Sequence, residues 1–209
     1  MPISGLYAVT PQCADTATLL DKVRLALAGG AQLVQYRDKS DDVALRHEQA
    51  SELLALCREF GAALIVNDDL RLASLVDADG VHLGRDDSSL REARLILGPG
   101  KIVGVSCYND LQLAIAAQQG GADYVAFGSF FASPTKPAAV PAPLELLRLA
   151  HHELSVPLVA IGGITLDNAG LLVAAGADAL AVISAVFDSP DIRAAAASFS
   201  ELFTQPSVH

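Results

Sequence analysis

Short apolar runs alternate with longer amphipathic segments along the chain. The apolar runs lack the strict polar–apolar alternation of a sheet with one wet face, so they predict strands buried on both faces. The predicted strands span 3–9, 33–36, 62–66, 80–83, 102–105, 124–127, 157–161 and 179–183. The amphipathic segments predict helices at 15–28, 41–60, 70–76, 88–97, 110–119, 144–154, 166–175 and 192–203.

The elements follow one another as strand and helix, eight times, which favours a parallel sheet covered by helices. Segments beginning at Gly30, Asp77, Gly121 and Gly176 repeat one pattern, a helix end followed by an apolar run. Eight such units in 209 residues leave little room for insertions. We therefore predict an α/β fold, a compact single-domain (β/α)8 or TIM barrel over 1–204, with a polar tail at 205–209.

A doubly wound open sheet is the alternative architecture for such an order of elements. A dinucleotide-binding version of it would carry Gly-x-Gly-x-x-Gly after the first strand. That motif is missing from the sequence at this position, which weakens the dinucleotide-binding version.

Composition and charge narrow the classes of function. Hydrophobic residues make up 52% of the chain and charged residues 18%, which suits a large core. The net charge of −10 argues against nucleic acid or an anionic membrane as a partner. The sequence shows neither a secretory signal nor an apolar run long enough to cross a bilayer. Three scattered cysteines suit a reducing compartment, so we expect a cytoplasmic location.

Polar residues cluster where the predicted strands end. In a (β/α)8 barrel these positions converge on the face that carries active sites. The set comprises Gln35, Arg37, Lys39, Asn67, Asp68, Asp86, Asp87, Ser106, Ser133, Thr135, Lys136, Gly162, Gly163, Ile183 and Ser184. The stretch 128–137 passes directly from a buried strand into a proline-containing loop, where the hydroxyls of Ser133 and Thr135 and the ammonium of Lys136 suit an anion.

These residue types predict a site for two anions. Carboxylates at adjacent strand ends can hold one Mg²⁺ that also coordinates a substrate diphosphate. Arg37, Lys39 and Lys136 would face the same diphosphate. Backbone N–H groups after strands 7 and 8 match the phosphate site of many such barrels. The sequence gives no sign of a nucleophile beside a base, and His82 is interpreted as a core histidine. The reaction is therefore expected to depend on charge stabilisation and positioning.

Each of these residues also has a purely structural interpretation. Asp68–Asp69 and Asp86–Asp87 could cap the helices that follow them. Arg37 and Lys39 could lie in a solvated loop, and Gly162–Gly163 could form a turn. For each residue taken alone, the structural interpretation is the commoner one. All of these residues lie at the same end of the strands, however, and this favours a functional site.

Seven motifs carry a family resemblance. They are Gln35-Tyr-Arg-Asp-Lys39, Asn67-Asp68, Gly80-Val-His-Leu-Gly84 with Asp87, Gly104-Val-Ser106, Ser133-Pro-Thr-Lys-Pro137, Ala160-Ile-Gly-Gly-Ile164 and Ala181-Val-Ile-Ser184. Together, and in this order from the first strand to the eighth, they resemble thiamine-phosphate synthase. Two differences keep the chemistry. Ser133 stands where the family often has threonine, and Asp38 stands where glutamate is common.

The resemblance implies the (β/α)8 fold and a transferase. The enzyme would join 4-amino-2-methyl-5-(diphosphooxymethyl)pyrimidine to a thiazole phosphate, giving thiamine monophosphate and pyrophosphate. The expected partners are thus two small-molecule substrates, with a homo-oligomer left open by the sequence. The expected cofactor is Mg²⁺.

The resemblance also implies roles for individual residues. The pyrimidine diphosphate would be bound by Gln35, Tyr36, Arg37, Asp38, Lys39, Asn67, Ser106 and Lys136. The thiazole phosphate would be bound by Ser133, Pro134, Thr135, Gly163, Ile183 and Ser184. Mg²⁺ would be held by Asp68 and Asp87. The catalytic residues, which would stabilise the departing pyrophosphate, would be Arg37, Lys39 and Lys136.

Two other functions stay open at this point. A thiazole tautomerase-like isomerase on the same barrel would need neither the paired aspartates nor the three cations. A non-catalytic module that binds phosphate or thiamine would bind ligand without releasing pyrophosphate.

Overall fold

A computed structural model describes residues 3–84, 89–132 and 141–204. Within them, eight parallel strands close into a barrel in the order β1 to β8. The strands are β1 Gly5–Val9, β2 Leu33–Tyr36, β3 Ala63–Asn67, β4 Gly80–Leu83, β5 Ile102–Tyr108, β6 Tyr124–Phe127, β7 Leu158–Ile161 and β8 Ala179–Val182. The closed barrel confirms the (β/α)8 prediction and excludes the open sheet. The predicted tail, 205–209, lies outside the described residues, so that boundary stays a prediction.

Nine helices are present in the described part of the chain. They are α1 Thr16–Ala28, α2 Val43–Phe60, α3 Leu70–Leu75, α4 Leu90–Leu97, α5 Leu111–Gln119, α6 Leu144–Glu153, α7 Leu166–Ala174, α8 Ser184–Phe187 and α9 Ile192–Glu201. Capping residues explain several boundaries. Asp15 accepts a hydrogen bond from the backbone N–H of Thr18 at 2.8 Å, and Gly61 ends α2 with φ of 66°.

Most boundaries lie within two residues of the sequence-based prediction, and two elements differ by more. Strand β5 continues to Tyr108 rather than ending at 105, through a register shift between Ser106 and Tyr108 opposite β6. Helix α8 was not predicted, because a four-residue helix is too short to show helical periodicity.

Two apolar cores stabilise the barrel. The larger core lies between the strands and the surrounding helices. The smaller core fills the inside of the barrel and includes Tyr7, Ile65, Tyr124 and Val159. Tyr7 and Tyr124 lie on β1 and β6, which are not neighbours in the sheet, so their side chains can meet only inside the barrel. This interior layer lies directly beneath the strand ends that form the candidate site.

The repeated sequence pattern at the strand starts has a structural explanation. In three of the four repeats an aspartate just before an even-numbered strand accepts a hydrogen bond from a backbone N–H of the preceding strand. The pairs are Asp79 with Leu64 at 2.8 Å, Asp123 with Val103 at 2.7 Å, and Asp178 with Leu158 at 2.8 Å. These carboxylates satisfy backbone donors at the end of the barrel opposite the candidate site.

Replacing Asp178 by alanine is expected to lower the free energy of unfolding by about 1–3 kcal/mol, because the N–H of Leu158 loses its acceptor. Asp178→Asn should recover part of the loss, since its amide oxygen can accept the same bond. Asp21→Ala, an exposed position on α1, is the control and should change stability little. Urea denaturation measures all three, and equal midpoints for Asp178→Ala and Asp21→Ala would contradict this role.

Candidate active site

The carboxyl ends of the strands form one open end of the barrel, called the mouth below. Gln35 near the end of β2, Asn67 at the end of β3 and Ser106 in β5 lie at this end. Ile183, directly after β8, lies there too. Predicted site residues far apart in the sequence therefore share one end of the barrel because the strands are parallel.

The loop after β2 is attached to the loop after β1. The hydroxyl of Thr10 accepts a hydrogen bond from the backbone N–H of Arg37 at 2.9 Å. The side-chain amide of Gln12 accepts from the N–H of Lys39 at 3.1 Å and donates to the carboxylate of Asp38 at 2.6 Å. The backbone that carries Arg37 and Lys39 is therefore held in place before any ligand binds.

Asp38 braces this loop. Its carboxylate accepts hydrogen bonds from the backbone N–H and the hydroxyl of Ser40, in addition to the bond from Gln12. Burial alone would favour the protonated form, but these hydrogen bonds hold the pKa of Asp38 below its ordinary value. Asp38 is thus an ionised acceptor for protein donors, and its predicted contact with substrate stays a prediction.

The side chain of Tyr36 does not point into the mouth. It is 2% exposed, belongs to the core between barrel and helices, and its hydroxyl donates to Gln49 of α2 at 3.0 Å. Neighbouring strand residues face opposite sides of the sheet, so Gln35 faces the interior and Tyr36 the helices. A contact between Tyr36 and substrate would therefore have to use its backbone.

Asp68 and Asp69 are adjacent in sequence but differ in surroundings. Asp69 caps α3 by accepting from the N–H of Leu72 at 2.9 Å, and its other carboxylate oxygen pairs with Arg46. Asp68 lies 3.9 Å from the ammonium of Lys39, and the two side chains are 37% and 60% exposed. The capping interpretation thus applies to Asp69, whereas Asp68 meets a predicted catalytic cation.

The backbone of Asp68 is in the left-handed region, with φ of 62°. Residues other than glycine rarely adopt this conformation, although aspartate and asparagine tolerate it best. Such backbone strain is often found at functional sites. Here the left-handed residue, Asp68, directly precedes the residue that caps α3, Asp69.

The residues at the mouth fit a magnesium ion that takes part of its ligands from the protein and part from a substrate. No group of three or more His, Cys, Asp or Glu side chains in 3–84, 89–132 and 141–204 could hold a metal alone. Mg²⁺ commonly uses one or two carboxylates, with water and substrate phosphates completing its shell. The half-exposed carboxylate of Asp68 suits one such ligand. Asp87, the second predicted ligand, lies outside the described residues, as do Ser133, Pro134, Thr135 and Lys136.

The turn after β7 contacts the segment that leads into the predicted anion-binding loop. The N–H of Phe131 donates to the carbonyl of Gly162 at 3.1 Å. Gly163 has φ of 62°, and a Cβ there would lie 2.4 Å from the carbonyl oxygen of Ala132. Only glycine allows this close approach, so the sequence of the turn brings the loop after β6 toward β7.

Helix α8 starts directly after β8. Its first helical bonds run from the N–H groups of Val186 and Phe187 to the carbonyl of Ile183, at 3.1 and 2.9 Å. The N–H groups that precede them, including that of Ser184, are those that a helix leaves without partners in its first turn. In (β/α)8 barrels a short extra helix at this position often binds phosphate.

One polar arrangement was missed by the sequence reasoning. His82 is 8% exposed and both of its ring nitrogens have partners, as expected of a core histidine. Its Nε2 lies 2.8 Å from the hydroxyl of Ser106, a contact that the sequence did not predict. Its Nδ1 faces the hydroxyl of Tyr124 at 2.9 Å, not the carboxylate of a hydrolase triad. The tyrosines inside short apolar strands were the available signal, because a buried phenol needs a partner.

Comparison with known proteins identifies the family. A family model described as thiamine monophosphate synthase matches residues 6–186, which is most of the barrel. The chain belongs to the thiamine monophosphate synthase family. The thiamine-phosphate synthase of Thiobacillus denitrificans is 65% identical over 199 residues, which cover 95% of this chain and 94% of the relative. That of Aromatoleum aromaticum is 58% identical over 201 residues, covering 96% and 97%.

A solved structure agrees with this thiamine monophosphate synthase assignment. The thiamine phosphate pyrophosphorylase from Pyrococcus furiosus superposes with a TM-score of 0.84 at 37% identity, covering 96% of this chain and 95% of that one. The family resemblance, the fold and the enzyme class, a transferase of thiamine biosynthesis, are confirmed. In the part of the chain that the structure describes, no helix is long and apolar enough to cross a membrane.

Proposed function

We propose that the protein joins 4-amino-2-methyl-5-(diphosphooxymethyl)pyrimidine to a thiazole phosphate, with Mg²⁺ assisting the loss of pyrophosphate. The observation that carries this proposal is the approach of Lys39 to Asp68, 3.9 Å apart, at the mouth of a barrel of this family. A carboxylate suited to a metal and a cation suited to a diphosphate thus share one location.

The diphosphate site would be formed by residues after β2, β3, β4 and β6. Asp68 and Asp87 would hold Mg²⁺, and Arg37, Lys39 and Lys136 would bind the diphosphate oxygens. When bound, the ion supplies positive charge that offsets the charge of the leaving group. The bracing of the β2 loop by Thr10 and Gln12 supports this role, because a fixed backbone limits the rearrangement that Arg37 and Lys39 need to reach the diphosphate.

The reaction needs no enzyme nucleophile. The bond between the pyrimidine methylene carbon and the diphosphate oxygen breaks, and its electron pair leaves with pyrophosphate. Arg37, Lys39 and Lys136 stabilise that negative charge, while the electron-rich aminopyrimidine carries the positive charge of the methylene. The lone pair of the thiazole nitrogen then forms the new carbon–nitrogen bond, and no proton is transferred. Gln35, Asn67 and Ser106 hold the pyrimidine in line for this attack.

The thiazole phosphate would bind on the other side of the mouth. Gly163 contributes a backbone that can be approached closely, and Ile183 and Ser184 contribute the start of α8. Ser133, Pro134 and Thr135 would complete this subsite from the loop after β6. Backbone N–H groups suit a phosphate because they are directed, uncharged donors.

Pyrophosphate release tests the proposal. Release should require both substrates and Mg²⁺, and EDTA should abolish it. Thiazole isomerisation that is insensitive to EDTA, without coupling, would instead identify a tautomerase-like isomerase. Ligand binding without release would identify a non-catalytic binding module.

We also propose a cytoplasmic location, because the cysteines are suited to a reducing compartment. Cys13, Cys57 and Cys107 are all free thiols. Burial raises the pKa of Cys57 and of Cys107 to about 12, so both are inert apolar residues. Cell fractionation would check the location, and recovery outside the cytoplasm would contradict it.

A further inference from the structure

A continuous chain of hydrogen bonds crosses the barrel interior. Its links are Gln35 Nε2 to Tyr7 OH at 3.0 Å, Tyr7 OH to Tyr124 OH at 2.8 Å, Tyr124 OH to His82 Nδ1 at 2.9 Å and His82 Nε2 to Ser106 Oγ at 2.8 Å. We call these five residues the interior chain. Its two ends, Gln35 and Ser106, are among the residues that the proposed function assigns to the pyrimidine.

The register of three neighbouring strands allows the interior chain to form. His82, Gly104 and Tyr124 lie side by side in register on β4, β5 and β6. The rings of His82 and Tyr124 stack at 5.6 Å across the space above Gly104. A Cβ on Gly104 would lie 1.9 Å from Cζ of Tyr124, so the missing side chain is what allows the two rings to meet.

The number of hydrogens determines the direction of the bonds. Each phenol has one hydrogen, and a neutral imidazole has one N–H. Since the amide nitrogen of Gln35 donates to Tyr7, the hydrogen of Tyr7 is left for Tyr124, and that of Tyr124 for Nδ1 of His82. The histidine hydrogen is then on Nε2, where it is donated to Ser106.

Two further observations support this direction. Burial raises the pKa of Tyr7 and of Tyr124 above the ordinary value, so both phenols keep their hydrogens. Within residues 3–84, 89–132 and 141–204, the Oε1 atom of Gln35 forms no hydrogen bond and remains an acceptor. The hydroxyl of Ser106 accepts from His82 and keeps its own hydrogen to donate.

We propose that Tyr7, Tyr124 and His82 are positioning residues that give the two ends of the pyrimidine pocket opposite hydrogen-bonding character. The interior chain fixes the amide of Gln35 so that its Oε1 is the acceptor, and it makes Ser106 a donor. Neither orientation can reverse unless every bond of the interior chain reverses. This inference rests on the proposed function. An aminopyrimidine presents an amine donor and ring-nitrogen acceptors, which such a pocket satisfies. A 4-hydroxypyrimidine, in its oxo form, replaces the amine donor with a carbonyl acceptor and is selected against.

The tautomer of His82 tests the direction of the hydrogen bonds in the interior chain without any substrate. In protein labelled with ¹⁵N-histidine, NMR should find His82 neutral and protonated on Nε2. Tyr124→Phe removes the donor to Nδ1 and should shift the ¹⁵N signals of His82, while those of His47, which lies on α2, stay in place. A His82→Gln variant assigns the signal. Protonation on Nδ1 in the unmodified protein, or unchanged signals in Tyr124→Phe, would overturn the inference.

Substrate discrimination tests the consequence. Tyr7→Phe removes the hydrogen bonds that connect Gln35 to the rest of the interior chain. The orientation of the Gln35 amide then no longer depends on that of Ser106. The ratio of kcat/KM for the 4-amino over the 4-hydroxy pyrimidine diphosphate should fall by about tenfold or more, as expected for the loss of about one hydrogen bond. Ile65→Val, in the same interior core, is the control and should leave the ratio unchanged.

The outcomes separate this inference from the proposed function. An unchanged ratio in a folded, active Tyr7→Phe protein would overturn the interior chain and leave the synthase assignment intact. Absence of pyrophosphate release with either pyrimidine would overturn the proposed function. The NMR experiment would still decide the direction of the hydrogen bonds in the interior chain.

Discussion

Asp68→Asn is expected to lower kcat/KM for pyrophosphate release by about 10²–10³-fold while the protein stays folded. The substitution removes the negative charge proposed to hold Mg²⁺ and retains the shape of the side chain. Asparagine is preferred over alanine because it also tolerates the left-handed backbone, at φ of 62°, of this position. The remaining activity should need a higher Mg²⁺ concentration, which a metal titration of the initial rate measures.

The adjacent residue supplies a matched control. Asp69→Ala removes the cap of α3 and the partner of Arg46, so it should lower the free energy of unfolding by about 1–2 kcal/mol. It should change kcat/KM and the Mg²⁺ requirement little, because its carboxylate is used within the protein. Near-normal turnover by Asp68→Asn, or an equal loss of turnover in both variants, would contradict the proposed metal site.

Gly104→Ala is expected to lower the free energy of unfolding by about 3 kcal/mol. The added methyl would lie 1.9 Å from Cζ and 2.4 Å from the hydroxyl of Tyr124. Tyr124 cannot move aside easily, because it is fully buried and its hydroxyl is bonded to both Tyr7 and His82. The variant should therefore disturb the interior chain as well as the core. Chemical denaturation measures the loss.

Gly170→Ala is the control for this substitution. Gly170 lies on the exposed side of α7, and a Cβ there would meet nothing within 4 Å. Alanine should stabilise the helix by about 0.5–1 kcal/mol, because glycine loses more conformational freedom on folding. Similar denaturation midpoints for the two alanine variants would show that the space above Gly104 is not needed for Tyr124.

The paired aspartates illustrate a limit of sequence reasoning. Both carboxylates follow β3, and the sequence left open whether the pair caps the next helix or whether Asp68 is instead a metal ligand. The assignment depends on the backbone turn at Asp68 and on the positions of Arg46 and Lys39, which come from other elements. Neither factor is encoded in the local pattern, so only the folded chain shows that Asp69 is the helix cap.

The sequence by itself determined the order of strands and helices and the end of the sheet where polar residues collect, and it favoured a barrel over an open sheet. These follow from local periodicity, from caps such as Asp15 and Gly61, and from the parallel direction that strand–helix repeats impose. The tertiary structure alone decided the interior chain. Tyr7 and Tyr124 are 117 positions apart and meet only because the closed barrel brings β1 and β6 face to face across its interior.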